Sequence, residues 1–183
     1  MFELPQSLVV NGTEHPIRSD YRMVLRVISA FNDPNLEPNE KVYVCLYIIY
    51  EDFEDIPPDE YNAAFDAATE FINHGAAETK RKVKLVDFEQ DEDMMVAAIN
   101  RVAGKEVRAL DYLHWWTFLG YFMEIGECTY SQILSIRSKK SKGKPLEKFE
   151  IDFYNENKQK IVLKERLSDE EIEEKKMLEA LLS

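Results

Sequence analysis

Cysteine, glycine and proline are all scarce in this chain of 183 residues, at two, six and seven. Cys45 and Cys128 supply neither a disulfide framework nor a multi-cysteine zinc site, so reduced, buried thiols of a cytosolic protein are expected. Histidine is nearly as rare: His15, His74 and His114 sit in unrelated contexts. Bases are outnumbered, 23 Lys+Arg against 35 Asp+Glu, for a net charge of −12. Such a chain repels a phosphate backbone and an anionic membrane surface, which argues against nucleic-acid and membrane partners. Long apolar runs are missing too. The richest, 42–50 and 112–123, fall well short of the ~20 residues of a spanning helix. Met1–Pro5 lacks the basic region and apolar core of a secretory signal. No phosphate-binding glycine loop, G-x-S-x-G elbow or internal repeat occurs.

What is present is a core. With 45% apolar and 11% aromatic residues, the chain is too hydrophobic to be disordered, and at this length it can bury about 70% of its unfolded surface. Asn11-Gly12 between β-branched residues predicts a hairpin over 8–17, with Pro16 marking an edge strand. Ser19 or Asp20 then caps a helix to about Phe31, whose apolar positions are Tyr21, Val24, Leu25, Ile28 and Phe31. Residues 42–50 read as a buried strand or a buried helix; Asn39 before Glu40 resembles a cap and leans towards helix. Pro57-Pro58-Asp59-Glu60 opens a helix to His74, with Gly75 suited to its C′ position. A basic connector (Lys80, Arg81, Lys82, Lys84) leads to a helix from Asp91 to Gly104. The stretch Leu110–Glu124 predicts a helix apolar nearly all round and therefore buried on most sides. Gly126 breaks it, and Thr129 caps another carrying Tyr130, Ile133, Leu134 and Ile136. Residues 137–145 read as a solvated loop, and 146–164 as either strand or helix. Ser168-Asp-Glu-Glu171 is a capping box opening an amphipathic C-terminal helix in 166–183.

Four features invite chemistry. His114 follows Asp111 by three residues, one helical face apart, a weak acid–base pair set against a hydrogen-bonded histidine beside two packed tryptophans. Asp87, Glu89, Asp91, Glu92 and Asp93 lack the spacing of a calcium loop and have no histidine nearby, so a helix N-terminus plus a solvated face explains them. The acidic stretch 51–55 reads as a solvated connector or a charged contact surface. The segment 137–148 sets six Lys/Arg against Glu147 and lacks interleaved aromatics; it balances the protein's own acidic regions or those of a neighbouring copy. No catalytic, cofactor or metal site is expected.

Several segments in order resemble a family of tailed-phage and prophage tail-assembly chaperones of Gram-positive hosts, encoded just before the tape-measure protein. The resemblance runs through Asp87–Asp91, Leu113–Leu119 with His114-Trp115-Trp116 and Phe118, Ile125–Tyr130, Ile133–Arg137 with Ile136-Arg137, the lysine-rich loop, and Lys148–Tyr154. It implies that 42–50 and 146–164 are helical, giving a mainly α fold: one globular helical domain over 1–165 with a small N-terminal hairpin, then a C-terminal helix in 166–183. It also implies a non-enzymatic function in the host cytoplasm. Several copies would coat the long, apolar tape-measure protein and keep it soluble until the tail-tube protein displaces them; self-association is expected, with the 166–183 helix serving it, partner capture or the capping of its own domain's core. His114, Trp115, Trp116, Phe118, Ile136 and Arg137 are then packing or partner-contact residues. The alternatives are a structural tail or connector component that stays in the virion, and an enzyme using His114.

Overall fold

Asn11 and Gly12 have φ of 48° and 92°, the left-handed pair a type I′ turn needs. They join antiparallel strands β1 (Ser7–Val10) and β2 (Thr13–Pro16). The structure, a computed structural model, describes residues 3–74 and 84–182. The chain divides into two compact units, residues 1–75 with 165–183, and residues 76–164. The hairpin and the otherwise helical architecture agree with the mainly α class. Gly75 and the basic residues Lys80, Arg81 and Lys82 lie outside the described residues.

In the first unit, α1 (Tyr21–Asn32), α2 (Pro38–Ile49) and α3 (Tyr61–Ile72) follow the hairpin. Asp20, not Ser19, caps α1, its carboxylate accepting the Arg22 N–H at 2.9 Å. The buried face of α1 is Tyr21, Val24 and Val27. Phe31 instead stays 36% exposed and packs on Phe65, with ring centres 6.0 Å apart. Helix α2 resolves the ambiguity of 42–50, but it starts earlier than Asn39. Pro38 occupies the first helical position, where its fixed φ suits the turn, and Glu40 accepts the Glu37 N–H at 2.8 Å. Nor is α2 buried all round: Cys45, Leu46 and Ile49 face the core while Tyr43 and Tyr47 stand 52% and 60% exposed. These two rings stack 6.5 Å apart, and both meet Phe53 edge-on. Before α3, Pro58–Glu60 forms a 3-10 turn. His74 takes a left-handed conformation after that helix, at φ 56°.

Arg18 closes the C-terminal end of α2. Its Nη1 donates to the carbonyls of Tyr47, Ile48 and Tyr50 at 3.1, 3.2 and 2.5 Å, satisfying orphan acceptors at the negative pole of the helix. The backbone does the same work alongside it, Arg18 N–H donating to the Ile49 carbonyl at 2.8 Å, while Glu51 N–H donates to the Pro16 carbonyl of β2 at 3.0 Å. Beneath these contacts Tyr50 donates to the Ala64 carbonyl at 2.8 Å. His15 Nδ1 lies 2.8 Å from Asp52 Oδ2, so the acidic 51–55 stretch is partly structural, and Phe53 within it is buried. The last helix of this unit, α9 (Asp169–Leu182), opens with the expected capping box: Ser168 N–H to Glu171 at 2.8 Å and Glu171 N–H to Ser168 Oγ at 3.2 Å.

The second unit comprises α4 (Glu92–Ala103), α5 (Trp115–Met123), α6 (Thr129–Ser141), α7 (Lys148–Glu156) and the short α8 (Lys158–Ile161). Gly104 ends α4 with φ 67°, as a left-handed cap requires. Three expectations are corrected here. Helix does not start at Leu110: Val107–Ala109 is a 3-10 turn, 110–114 is irregular, and α5 begins at Trp115. Cys128, not Thr129, caps α6, its Sγ accepting the Ser131 N–H at 3.4 Å. The supposed loop from 137 is the last part of α6, because Arg137 has buried partners and Lys139 pairs with Glu150 on α7 at 2.6 Å. As the resemblance implies, 146–164 is helix rather than strand, over Lys148–Glu156 and Lys158–Ile161, with Ile161 buried against Ile133 and Ile136.

Candidate partner-binding surface

Arg137 is 6% exposed and Asp91 fully buried. Arg137 Nη1 meets Asp91 Oδ2 at 2.6 Å and Nη2 meets Oδ1 at 2.8 Å. Its other N–H groups take backbone carbonyls: Nε that of Ile161 at 2.7 Å, Nη1 that of Leu85 at 2.8 Å and Nη2 that of Lys160 at 2.6 Å. All five guanidinium N–H donors therefore have an acceptor. Asp91 Oδ2 also accepts the Tyr130 hydroxyl at 3.3 Å and the Asp87 N–H at 3.1 Å. Burial, then the Asp91 charge, pushes the Tyr130 hydroxyl up from its ordinary value. This hub ties the entry and exit of the unit to α6. It overturns the solvated-face reading for Asp87 and Asp91, which are 4% and 0% exposed. Asp87 is instead a turn former, Oδ1 accepting the N–H groups of Glu89 and Gln90 at 3.1 and 3.0 Å, with Lys84 on Oδ2 at 2.8 Å.

The family-motif residues divide between core and surface. Trp115 and Phe118 are buried and stacked, 5.8 Å and 17° apart. Phe88 meets the Trp115 ring at 6.4 Å, and Phe122 meets Tyr130 at 6.3 Å. Ile136 is fully buried. Positions 116, 119, 120 and 123 recur at steps of three and four, so they form the opposite stripe of α5. There Trp116 and Leu119 are half-buried, Gly120 is exposed and Met123 is 68% exposed. A Cβ added at Gly120 would meet nothing within 4 Å, so a partner can approach the backbone closely at that point. Tyr112, 50% exposed, precedes this helix. The expectation that α5 is buried on most sides holds for seven of its nine positions; only Gly120 and Met123 are exposed. Tyr112, Leu119 and Met123 were not among the expected contact residues, because a run apolar at every position hides its own periodicity.

His114 is 2% exposed. It caps α5, Nδ1 accepting the Trp116 N–H at 3.0 Å, which fixes the neutral-side lone pair on that nitrogen. Asp111 lies outside the helix and is exposed, so the two do not share a helical face. Among the described residues no group of three or more His, Cys, Asp or Glu side chains is placed to hold a metal, and no helix is long and apolar enough to cross a membrane. A cleft of about 400 Å³ between α4 and α6 is lined by Met94, Ala97, Ala98, Arg101, Cys128 and Tyr130, among others. Burial raises the Cys128 thiol, but N–H groups of Ser131 and Tyr130 and the charge of Arg101 outweigh it, leaving a lowered value.

The folded chain is thus a mainly α protein whose most distinctive surface is an apolar helix stripe mounted on an aromatic core. The family model described as Bacteriophage Gp15 protein matches residues 2–163, and the chain belongs to that bacteriophage protein family. No curated protein and no solved structure matches it.

Proposed function

We propose that this chain is a non-enzymatic tail-assembly chaperone that holds the phage tape-measure protein soluble until the tail tube assembles, acting in the host cytoplasm and leaving before the virion is complete. The observation that carries this reading is the outward stripe Trp116–Leu119–Gly120–Met123. Trp116 and Leu119 are half-buried while Gly120 and Met123 are exposed, on a helix whose other face is locked into the core, so the apolar Met123 end cannot turn inward to hide. Exposed apolar surface on a folded unit marks a site for another apolar surface, and helix-in-groove packing reads such i, i+3, i+4, i+7 anchors. The net charge of −12 keeps a coated, aggregation-prone partner in solution. The non-enzymatic reading is supported by His114, which spends its imidazole on capping α5.

Co-expression with the neighbouring tape-measure protein tests it. The expected result is a soluble complex that co-purifies and is weakened by Gly120→Arg or Met123→Asp, with unchanged melting of the chain alone. No complex, or one indifferent to both substitutions, overturns the reading. Peptides of this chain in purified virions would favour a structural tail or connector component instead.

A further inference from the structure

The charge of the chain is divided unevenly between its two units. Residues 1–75 with 165–183 hold twenty-one acids and seven bases, a balance of −14, whereas residues 76–164 hold fourteen and sixteen, +2, together the −12 of the whole. Two exposed segments concentrate the contrast. Helix α9 carries six acids against two lysines, and its residues from Asp169 to Ala180 are exposed, Ile172, Met177 and Leu178 at 37%, 66% and 61%. A fourteen-residue helix with little packing is marginal in water, since isolated helices under about 12–15 residues seldom persist. Caps and first-turn acids support its start, but Met177 and Leu178 stand largely uncovered.

The segment 142–151 is its complement. Lys142, Lys144 and Lys148 are exposed, and so are Phe149 at 60% and Ile151 at 46%. Of its two acids, the buried Glu150 is already neutralised by Lys139 at 2.6 Å, leaving the exposed Glu147 against three exposed lysines. The segment therefore offers cations and uncovered apolar groups together, the chemistry an acidic amphipathic helix seeks.

We infer that α9 of one copy docks on the 142–151 segment of a second copy, so that the protein associates with itself through one acidic donor and one basic acceptor per chain. Donor and acceptor are different surfaces, so the contact is heterologous and either closes reciprocally or continues head to tail. The inference needs only this chain and stands apart from the identity of any tape-measure partner.

Sedimentation velocity of the full chain tests it. At about 10 mM salt, where charges act over about 30 Å, mass should rise with concentration to at least a dimer; at about 1 M salt, where they act over about 3 Å, it should fall back. Lys142→Glu/Lys144→Glu/Lys148→Glu should weaken association at least tenfold, and so should Glu170→Lys/Glu173→Lys/Glu174→Lys. All six sites are exposed, and circular dichroism of each variant checks that the fold is kept. Mixing the two reversed variants should restore a complex that neither forms alone. A wild-type chain monomeric at low salt, an oligomer indifferent to both reversals, or a mixture that fails to reassociate would each overturn the inference.

Discussion

Asp91→Asn keeps the shape of the buried side chain and removes only its charge, leaving the Arg137 guanidinium 6% exposed without a counter-ion. Breaking one side of a buried ion pair costs about 3–5 kcal/mol, because the remaining charge stays desolvated. Arg137→Lys tests the geometry separately from the charge. An ammonium has three donors, so at least two of the five bonds made by Arg137 are lost. At about 1–3 kcal/mol per buried orphan, that substitution costs roughly 2–6 kcal/mol. Asp91→Leu with Arg137→Met removes both charges and should destabilise by clearly less than the sum of its single changes, a coupling of about 0.5–3 kcal/mol. Both tryptophans of the chain, Trp115 and Trp116, lie in the 76–164 unit, so indole fluorescence in urea follows the right unit. With a slope of about 1–3 kcal/mol per molar urea, Asp91→Asn should lower the midpoint by about 2 M. A cost below about 1 kcal/mol for Asp91→Asn would refute the claim that this pair organises the unit.

The tryptophans themselves should separate. Trp115→Ala should cost about 3–5 kcal/mol by thermal circular dichroism, and Trp116→Ala less than half of that, with its effect on partner capture instead. In the native protein a thiol alkylating reagent should label Cys128 and spare Cys45, which is fully buried and pushed up to about 12 by that burial; mass spectrometry should count one label folded and two in urea. Lys139, then the Glu147 N–H, holds the Glu150 carboxyl below its ordinary value of 4.5. A lowered native value means this contribution is complete above that pH and is lost as pH falls through the native value. The gap in urea midpoint between wild type and Glu150→Gln should therefore be constant near neutrality and close below about pH 4.5.

Local signals carried much of this fold. Asn11-Gly12, Asp20, Gly104 and the Ser168–Glu171 box act through bonds to residues a few positions away, and the structure makes those bonds where the pattern places them. The misreadings share a different cause. Asp91 stands 46 positions from Arg137; in sequence one looks like a first-turn acid and the other like the start of a lysine-rich loop, and nothing local joins them. The cap of α2 was missed by two residues because Asn39 is the better capping side chain, whereas Pro38 decides the first turn by its ring. The 110–124 helix was overextended because apolar content alone cannot distinguish the irregular Leu110–His114 from α5. Of the expected packing or contact residues, His114, Trp115, Phe118, Ile136 and Arg137 are buried, and only Trp116 stands on the outward stripe.

That division has a consequence for function. The second unit is closed by a charged clasp, Arg137 on Asp91 and three carbonyls, at a place remote in sequence from Trp116–Met123. In the first unit Arg18 closes the end of α2 in the same way, by donating to carbonyls rather than by packing. Directional bonds of this kind fix helix ends without using apolar area, and apolar side chains such as Tyr43, Tyr47 and Met123 stay exposed at the surface. A surface that holds a changing, apolar partner can then vary without unfolding its carrier. Substitutions at the exposed Gly120 and Met123 should accordingly alter adhesion while stability stays within about 0.5 kcal/mol, the ordinary range for surface changes, whereas those at Arg137 or Asp91 should abolish both together.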